Sequence, residues 1–245
     1  PQDYVEARRL LGLAAAQGHV EAQYNLGLMH DSGDGGPQDF AETRRLFGLA
    51  ATQGQDEAQY NLGLMLFKGE GGPQDHEETR RLFGLAAAQG HDEAQNSLGL
   101  MHFKGEGGPQ DFAEARRLFV LAAFQGLVEA QYNLGCMHDQ GDGGPQDYAE
   151  ARRLYGLAAA RGHAIAQYNF AIMHYKGLGG LQDFAEARRQ FGLAATQGHA
   201  GAQLTLGLMH DRGEGGPEDH AEARRLYGLG GTQGSLLARK ALEQL

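Results

Sequence analysis

The stretch AQYNLGLMHDSGDGGPQDFAETRRLFGLAATQG, running from Ala22 to Gly54, returns every 36 residues along the 245-residue chain with scarcely an insertion or deletion. All six methionines fall at one position of the repeat, from Met29 and Met65 to Met209. All six prolines share another, from Pro1 and Pro37 to Pro217, with Leu181 in the remaining slot. A fixed period of this size is the mark of a stacked repeat architecture. One unit of two short helices cannot bury its own apolar face, so neighbouring units must supply the core. The expectation is a single domain over residues 1–245. Its units are 1–36, 37–72, 73–108, 109–144, 145–180 and 181–216, with a partial unit at 217–245.

Each unit carries signals for two helices. The first opens at an Asp-x-x-Glu capping box, as in Asp3 and Glu6 or Asp39 and Glu42. The Asp accepts from orphan N–H groups, the Glu reaches back, and both favour the positive end of the helix dipole. Tyr4, Ala7, Leu10, Leu11, Ala14 and Ala15 then follow the spacing of a helix face, which Leu13 widens. So wide an apolar arc predicts contact from two sides. Gly18 stands at the left-handed stop. The second helix is predicted over Val20–Ser32, with Ala22, Leu26 and Met29 as its core stripe and Gly27 on a flank that admits a neighbouring helix. Gly33, Gly35, Gly36 and Pro37 make the turn into the next unit. Gly12 sits in mid-helix at a cost of about 1 kcal/mol against Ala. Its recurrence in six of seven units, with Val120 the exception, predicts close packing there. In the partial unit a second-type helix is expected over 235–245, with Ala238, Leu242 and Leu245 on its core stripe.

Charge and composition exclude several functions. The net charge of −10 argues against nucleic acid, whose phosphates need a basic stripe. Fourteen of the 21 lysines and arginines form one repeated Arg-Arg pair. Arg9 lies three residues from Glu6 on the same helix, a spacing that pairs them. No apolar run approaches the roughly 18 residues of a membrane span, and no signal peptide opens the chain. The single Cys136 permits no intrachain disulfide and leans towards a reducing, cytoplasmic compartment. The chain starts in mid-pattern at Pro1, which suits an excised fragment as well as an engineered array.

Leu26-Gly27, His30, Gly33, Gly35, Asp39, Thr43, Leu46, Ala50-Ala51, Gln53-Gly54 and Ala58, spaced as they are, resemble the Sel-one-like repeat family, a cousin of the tetratricopeptide repeats. The likeness covers essentially the whole chain. It implies an all-α fold: a right-handed α-solenoid of antiparallel helix pairs, a tetratricopeptide-like superhelix that serves as an adaptor for protein partners. The chain departs from the family at His30 and Leu66, where an aromatic is usual, and at Leu10, Leu46 and Gln190, where a tryptophan is.

No metal, cofactor or catalytic site is read from the sequence. His30, His102, His138, His174 and His210 share one position, and His19, His91, His163 and His199 another. Neither row brings the three or four ligands that zinc requires to one point. The turn with Asp31, Asp34 and Asp39 is shorter than a twelve-residue calcium loop, and Asp31 gives way to Phe or Tyr elsewhere. The family resemblance raises β-lactamase chemistry, but Ser235-Leu236-Leu237-Ala238 lacks the lysine of a Ser-x-x-Lys motif. The three serines, Ser32, Ser97 and Ser235, occupy different repeat positions.

What remains is the side of the second helix turned away from its stripe. Positions 24, 28 and 31 carry Tyr24 and Leu28; Tyr60, Leu64 and Phe67; Asn96, Leu100 and Phe103; Tyr132 and Cys136; Tyr168, Ile172 and Tyr175; and Leu204 and Leu208, with Asp31, Asp139 and Asp211 completing the other three units. By resemblance these line a concave groove. Glu21, Glu57, Glu93 and Glu129 rim one end, and Lys68, Lys104, Lys176 and Arg212 the other. An apolar patch of this kind marks a binding surface for a partly apolar protein or peptide. Burial of the same residues between neighbouring second helices is the competing reading. The alternative function is a self-assembling or consensus-like array without a dedicated ligand. Exposed end units, with Tyr4 and Leu11 on one of them, further predict weak head-to-tail association.

Overall fold

A computed structural model describes residues 3–232; the helix expected at 235–245 lies outside that range. The described chain divides into two compact units, with the boundary between Gln125 and Gly126. The first holds α1 (Tyr4–Ala16), α2 (Val20–Ser32), α3 (Phe40–Thr52), α4 (Asp56–Lys68), α5 (His76–Ala88), α6 (Asp92–Lys104) and α7 (Phe112–Phe124). The second holds α8 (Val128–Gln140), α9 (Tyr148–Ala160), α10 (Ala164–Lys176), α11 (Phe184–Thr196), α12 (Ala200–Arg212) and α13 (His220–Thr232). No strand occurs among the described residues. Odd-numbered helices are the first of each pair and even-numbered helices the second.

The helix ends follow from the caps. Asp39 Oδ1 accepts the Glu42 N–H at 3.0 Å, and the same bond recurs from Asp3 to Asp219. The return half of the box does not form. The Glu42 carboxylate instead takes two bonds from Arg45, at 2.7 Å each, so the Asp cap acts alone. Gly18 stops α1 at φ +89°, as the spacing predicts. His91, His163 and His199 cap α6, α10 and α12 through Nδ1.

Packing is strongest between units of the repeat rather than within them: α2 lies against α3 more extensively than against α1. On α3 the buried residues are Thr43, Leu46, Phe47, Ala50 and Ala51, the i, i+3, i+4, i+7, i+8 arc of a helix touched from two sides. They meet Ala22, Leu26 and Gly27 of α2 and Ala58 of α4, all buried. Gly27 is there because Phe47 is: a Cβ on it would stand 2.7 Å from the ring. Gly63 meets Phe83 and Gly99 meets Phe119 in the same way, as do Gly135 and Tyr155 in the second unit. A fully buried Phe or Leu contributes roughly 1.5–3 kcal/mol, so this one ring per repeat is a large share of each interface.

Two further features differ from the sequence expectation. Leu13 does not widen the buried face: Leu13 and its equivalents Leu49 and Leu85 stay exposed, because Leu46 and Phe47 already fill the space between helices. Gly12, Gly48 and Gly84 are not close-packed either, since a Cβ on any of them would meet nothing within 4 Å. They face an open cleft. Gly156 is the packed exception: a Cβ on it would stand 3.2 Å from the Phe170 ring.

Polar side chains fasten each repeat to the next. Buried Gln23 donates to Ala15 O at 3.2 Å and accepts from Gln53 at 2.7 Å. Gln59 and Gln89 repeat the link, as do Gln95 and Gln125, and in the second unit Gln167 and Gln197. Arg161 stands in the glutamine's place once and donates to the Gly126 carbonyl. The first arginine of each pair clamps the glycine turn. Arg8 lies 2.7 Å from His30 Nδ1 and donates to the Asp34 and Pro37 carbonyls. Arg80 and His102 repeat this, and so do Arg152 and His174, and Arg188 and His210. The carbonyl acceptor for Arg152 is that of Leu181, so the clamp survives the loss of proline. The second arginine pairs with its own helix's glutamate, as Arg9 does with Glu6 at 2.7 Å.

Two outcomes follow. Gly48→Ala and Gly84→Ala gain about 1 kcal/mol each, because helix propensity improves and nothing obstructs the new carbon. Gly63→Ala loses about 1–3 kcal/mol by pressing on the buried Phe83 ring. Denaturant titration of the three variants checks both signs. The second outcome concerns pH. Burial first, and the adjacent arginine second, hold the His30, His102, His174 and His210 pKa values below the ordinary histidine value. The unfolded chain then takes up protons before the folded one does. The stability these groups contribute is whole above the unfolded pKa of about 6.5 and is lost as pH falls through the lowered folded values. The melting temperature therefore falls by several degrees between pH 7 and pH 5. Replacing the four histidines by Gln flattens that slope, and a thermal melt at each pH measures it.

Candidate protein-interaction site

The second-type helices carry the predicted groove residues, and the structure sorts these into three kinds. The tyrosines at position 24 are half-buried ring-stacking residues. Tyr24 lies 5.5 Å from the Phe47 ring, and its hydroxyl accepts from Asn61 Nδ2 at 3.0 Å. Tyr60 is held between Phe83, at 5.4 Å, and His91, at 4.7 Å. In the second unit Tyr132 stacks on His163 and Tyr168 on His199, at 4.7 and 4.4 Å. Asn96 occupies the same position half-buried. Burial raises the pKa of Tyr24, Tyr60 and Tyr132.

Position 28 is the more open. Leu28 is exposed, while Leu64 and Leu100 in the first unit, and Cys136, Ile172 and Leu208 in the second, are half-buried, as is Leu204 at the position of Tyr24. Burial pushes the Cys136 thiol up, which makes it a poor nucleophile, and the neighbouring Tyr155 hydroxyl donates to Asp139 at 3.4 Å.

The aromatics at position 31 are half-buried and pinned to the start of the following helix. Phe67 meets the His76 ring edge-on at 5.0 Å, Phe103 meets Phe112 at 5.1 Å, and Tyr175 meets Phe184 at 5.2 Å. Asp211 makes the polar version of the same contact, 2.7 Å from His220 Nδ1. In these four repeats the residue at 31 thus meets the residue nine further on, across the turn. Tyr175 also donates its hydroxyl to Glu214 at 2.9 Å.

These residues converge in one place in the first unit. Between α4 and α6 lies a pocket of about 170 Å³, walled by Leu64, Phe67, Leu100 and Met101 over the Phe83 ring, with Ser97 on its side. Lys104 and Glu106 stand at its mouth, 3.8 Å apart, with both side chains a third or more exposed. Lys68 and Lys176 are exposed at the corresponding helix ends. Phe103 stands outside the pocket. The glutamates of the other rim, Glu21, Glu57, Glu93 and Glu129, are exposed.

Among the described residues, one group could bring three metal donors together: His91, Asp92 and Glu93, at the start of α6. His91 Nδ1 is already taken as the cap for the Ala94 N–H at 3.3 Å. No described helix is long and apolar enough to cross a membrane. Sequence reading missed the buried glutamines, the histidine caps and the arginine–histidine clamps. Each of these left a signal, a polar residue recurring at one repeat position (in every repeat for the glutamine, in most for the histidines), but not the partner that satisfies it.

The Sel1 repeat family matches the chain at residues 1–19, 20–55, 56–91, 92–127, 128–163, 164–199 and 200–235. Its repeat boundary falls so that α2 and α3, the more extensively packed pair, form one unit. A protective antigen of uropathogenic Escherichia coli with an SLR fold is 35% identical, with a TM-score of 0.96 over 99% of this chain and 52% of that one. The chain therefore spans about half the length of that antigen. A Sel1 repeat protein from Oxalobacter formigenes is also 35% identical, with a TM-score of 0.84 over 99% of this chain and 70% of its own. Yeast Tom70, 15% identical with a TM-score of 0.51, shares the fold alone, over 98% of this chain and 50% of that one. No curated protein sequence matches. The family is in general a non-catalytic repeat scaffold that contacts other proteins. With seven matched repeats along an all-α array of helix pairs, the chain belongs to the Sel1 repeat family.

Proposed function

We propose that the chain is a protein-interaction module that holds a partly apolar peptide segment along the groove of its second-type helices. The observation that carries this reading is the pocket between α4 and α6. Its size, about 170 Å³, falls below the roughly 300–1,000 Å³ of small-molecule sites and suits one aliphatic or aromatic side chain. Its wall of Leu64, Phe67 and Leu100 is apolar, and the loosely paired Lys104 at the mouth is free to turn towards an acidic group on the partner. Tyr24, Leu28, Tyr60, Lys68, Asn96 and Phe103 continue the surface within the first unit. Tyr132, Cys136, Tyr168, Ile172, Tyr175, Lys176, Leu204 and Leu208 are the equivalent surface of the second.

Selection of a displayed random peptide library on the full chain tests the reading. Enriched sequences carry one large apolar residue, with an acid close by. Phe67→Ala weakens them by a factor of about ten or more, as loss of an anchoring contact does. Its melting temperature stays within a few degrees of the parent, because the ring is half-buried. Peptides that bind Phe67→Ala and Leu100→Ala as well as the parent place the site elsewhere. A collapse of the melting temperature shows that Phe67 is core, with the roughly 3–5 kcal/mol cost of a lost buried Phe.

A further inference from the structure

The most exposed apolar row lies on the opposite set of helices from the groove. In the first unit Leu49, Leu85 and Leu121 are 38%, 40% and 39% exposed, and Leu13 54%. In the second unit Leu157, Leu193 and Leu229 hold the equivalent positions and are likewise exposed. Single exposed leucines are ordinary, but a leucine left open at one position of every repeat is not. Beside each, one residue earlier, stands a glycine in all but one repeat, and the space above Gly12, Gly48 and Gly84 is empty to 4 Å. The result is a row of clefts between neighbouring first-type helices. The one between α1 and α3 has a volume of about 480 Å³, with Gly12 on one wall and Leu49 on the other, above Leu26 and Leu46. The next, between α3 and α5, is about 420 Å³, with Gly48 facing Leu85.

We propose that this row is a self-association face. Two copies of the chain pack first-type helices against first-type helices about a twofold axis, and the leucines of each sit in the clefts of the other.

Three observations choose a second copy as the occupant. Projection and cleft share one period on one face, so the surface is self-complementary, as a twofold contact demands. A partner must offer apolar groups at that same period, and another copy does. The charges agree as well. The chain carries −10 overall, yet each cleft is edged by a closed ion pair: Glu42 with Arg45, and Glu78 with Arg81, both at 2.7 Å. This face is locally neutral, so a second copy approaches on it without the repulsion felt elsewhere. With the helices antiparallel, the Glu-to-Arg order on one copy meets the Arg-to-Glu order on the other. A strongly acidic or basic partner would have to break those pairs. The inference stands apart from the groove, which lies on the other helices.

Sedimentation equilibrium of the full chain tests it, from about 1 μM to about 100 μM, a range in which a modest interface of this kind associates. The parent forms a dimer. The triple variant Leu49→Glu, Leu85→Glu, Leu121→Glu dissociates about tenfold or more readily, with an unchanged circular dichroism spectrum, because the replaced side chains are exposed. The matching lysine triple behaves alike by itself, and mixing the two restores the dimer. Gly48→Leu, which fills a cleft without adding charge, also weakens association, and Phe67→Ala leaves it intact. A parent that is monomeric throughout overturns the proposal. So does a dimer that survives the glutamate triple, or one lost with Phe67→Ala alone. A monomer that floats with phosphatidylcholine vesicles assigns the row to a lipid surface, and overturns it equally.

Discussion

The seating of one aromatic ring on a glycine of the preceding helix is the contact on which the rest depends. Phe47 on Gly27, Phe83 on Gly63 and Phe119 on Gly99 set how closely a first-type helix approaches the second-type helix before it. Alanines at 0% exposure, such as Ala86 and Ala94, share one core cluster with the Phe83 ring and permit the same approach. Each repeat contributes one ring and receives the next, so stability resides in nearest-neighbour interfaces, as it does in a one-dimensional array. A helix pair by itself would leave that ring in water.

Around this apolar contact the chain places polar links where backbone groups would otherwise go unsatisfied. The α1 carbonyl of Ala15 is met by buried Gln23, which is then oriented by Gln53 from the next repeat. Buried amides need partners on both ends, so each glutamine is useful only if the neighbouring repeat is in register. The arginine clamp does the same for the glycine turn. At Gly35 a Cβ would stand 2.2 Å from the Tyr4 carbonyl, and the positive φ of +70° favours glycine as well. Arg8 holds that turn against α1 by its carbonyls, with His30 fixing the guanidinium. Since the clamp reads carbonyl oxygens, Leu181 replaces proline without loss of the contact.

The two faces of the array come out of this packing with different characters. Second-type helices keep their apolar side chains half-covered by stacking: Tyr60 against Phe83 and His91, Phe67 against His76. A pocket opens between α4 and α6, where such residues stand apart. First-type helices leave their leucines bare and their glycines uncovered. A binding surface is the part of a repeat protein that packing has not used, and here packing leaves two.

The sequence alone determined the helix pairs, because caps, glycine stops and apolar spacing are local: Val20–Ser32 is bounded in the structure where the pattern bounds it. It also determined the 36-residue repeat and the membership in a family, since both are carried by residues in register. What only the tertiary structure decided is what each residue faces. Leu49 and Leu46 are both apolar on α3, yet one is 38% exposed and the other 1%, since the neighbouring helix reaches only as far as the ring of Phe47 allows. Gly12 and Gly27 are both mid-helix glycines; one looks into a cleft and the other into an aromatic ring. Glu42 sits at a capping-box position but turns to Arg45, because the ion pair with two hydrogen bonds outcompetes a single bond to the backbone. Periodicity fixes which residues repeat, and the distance between helices fixes which of them meet.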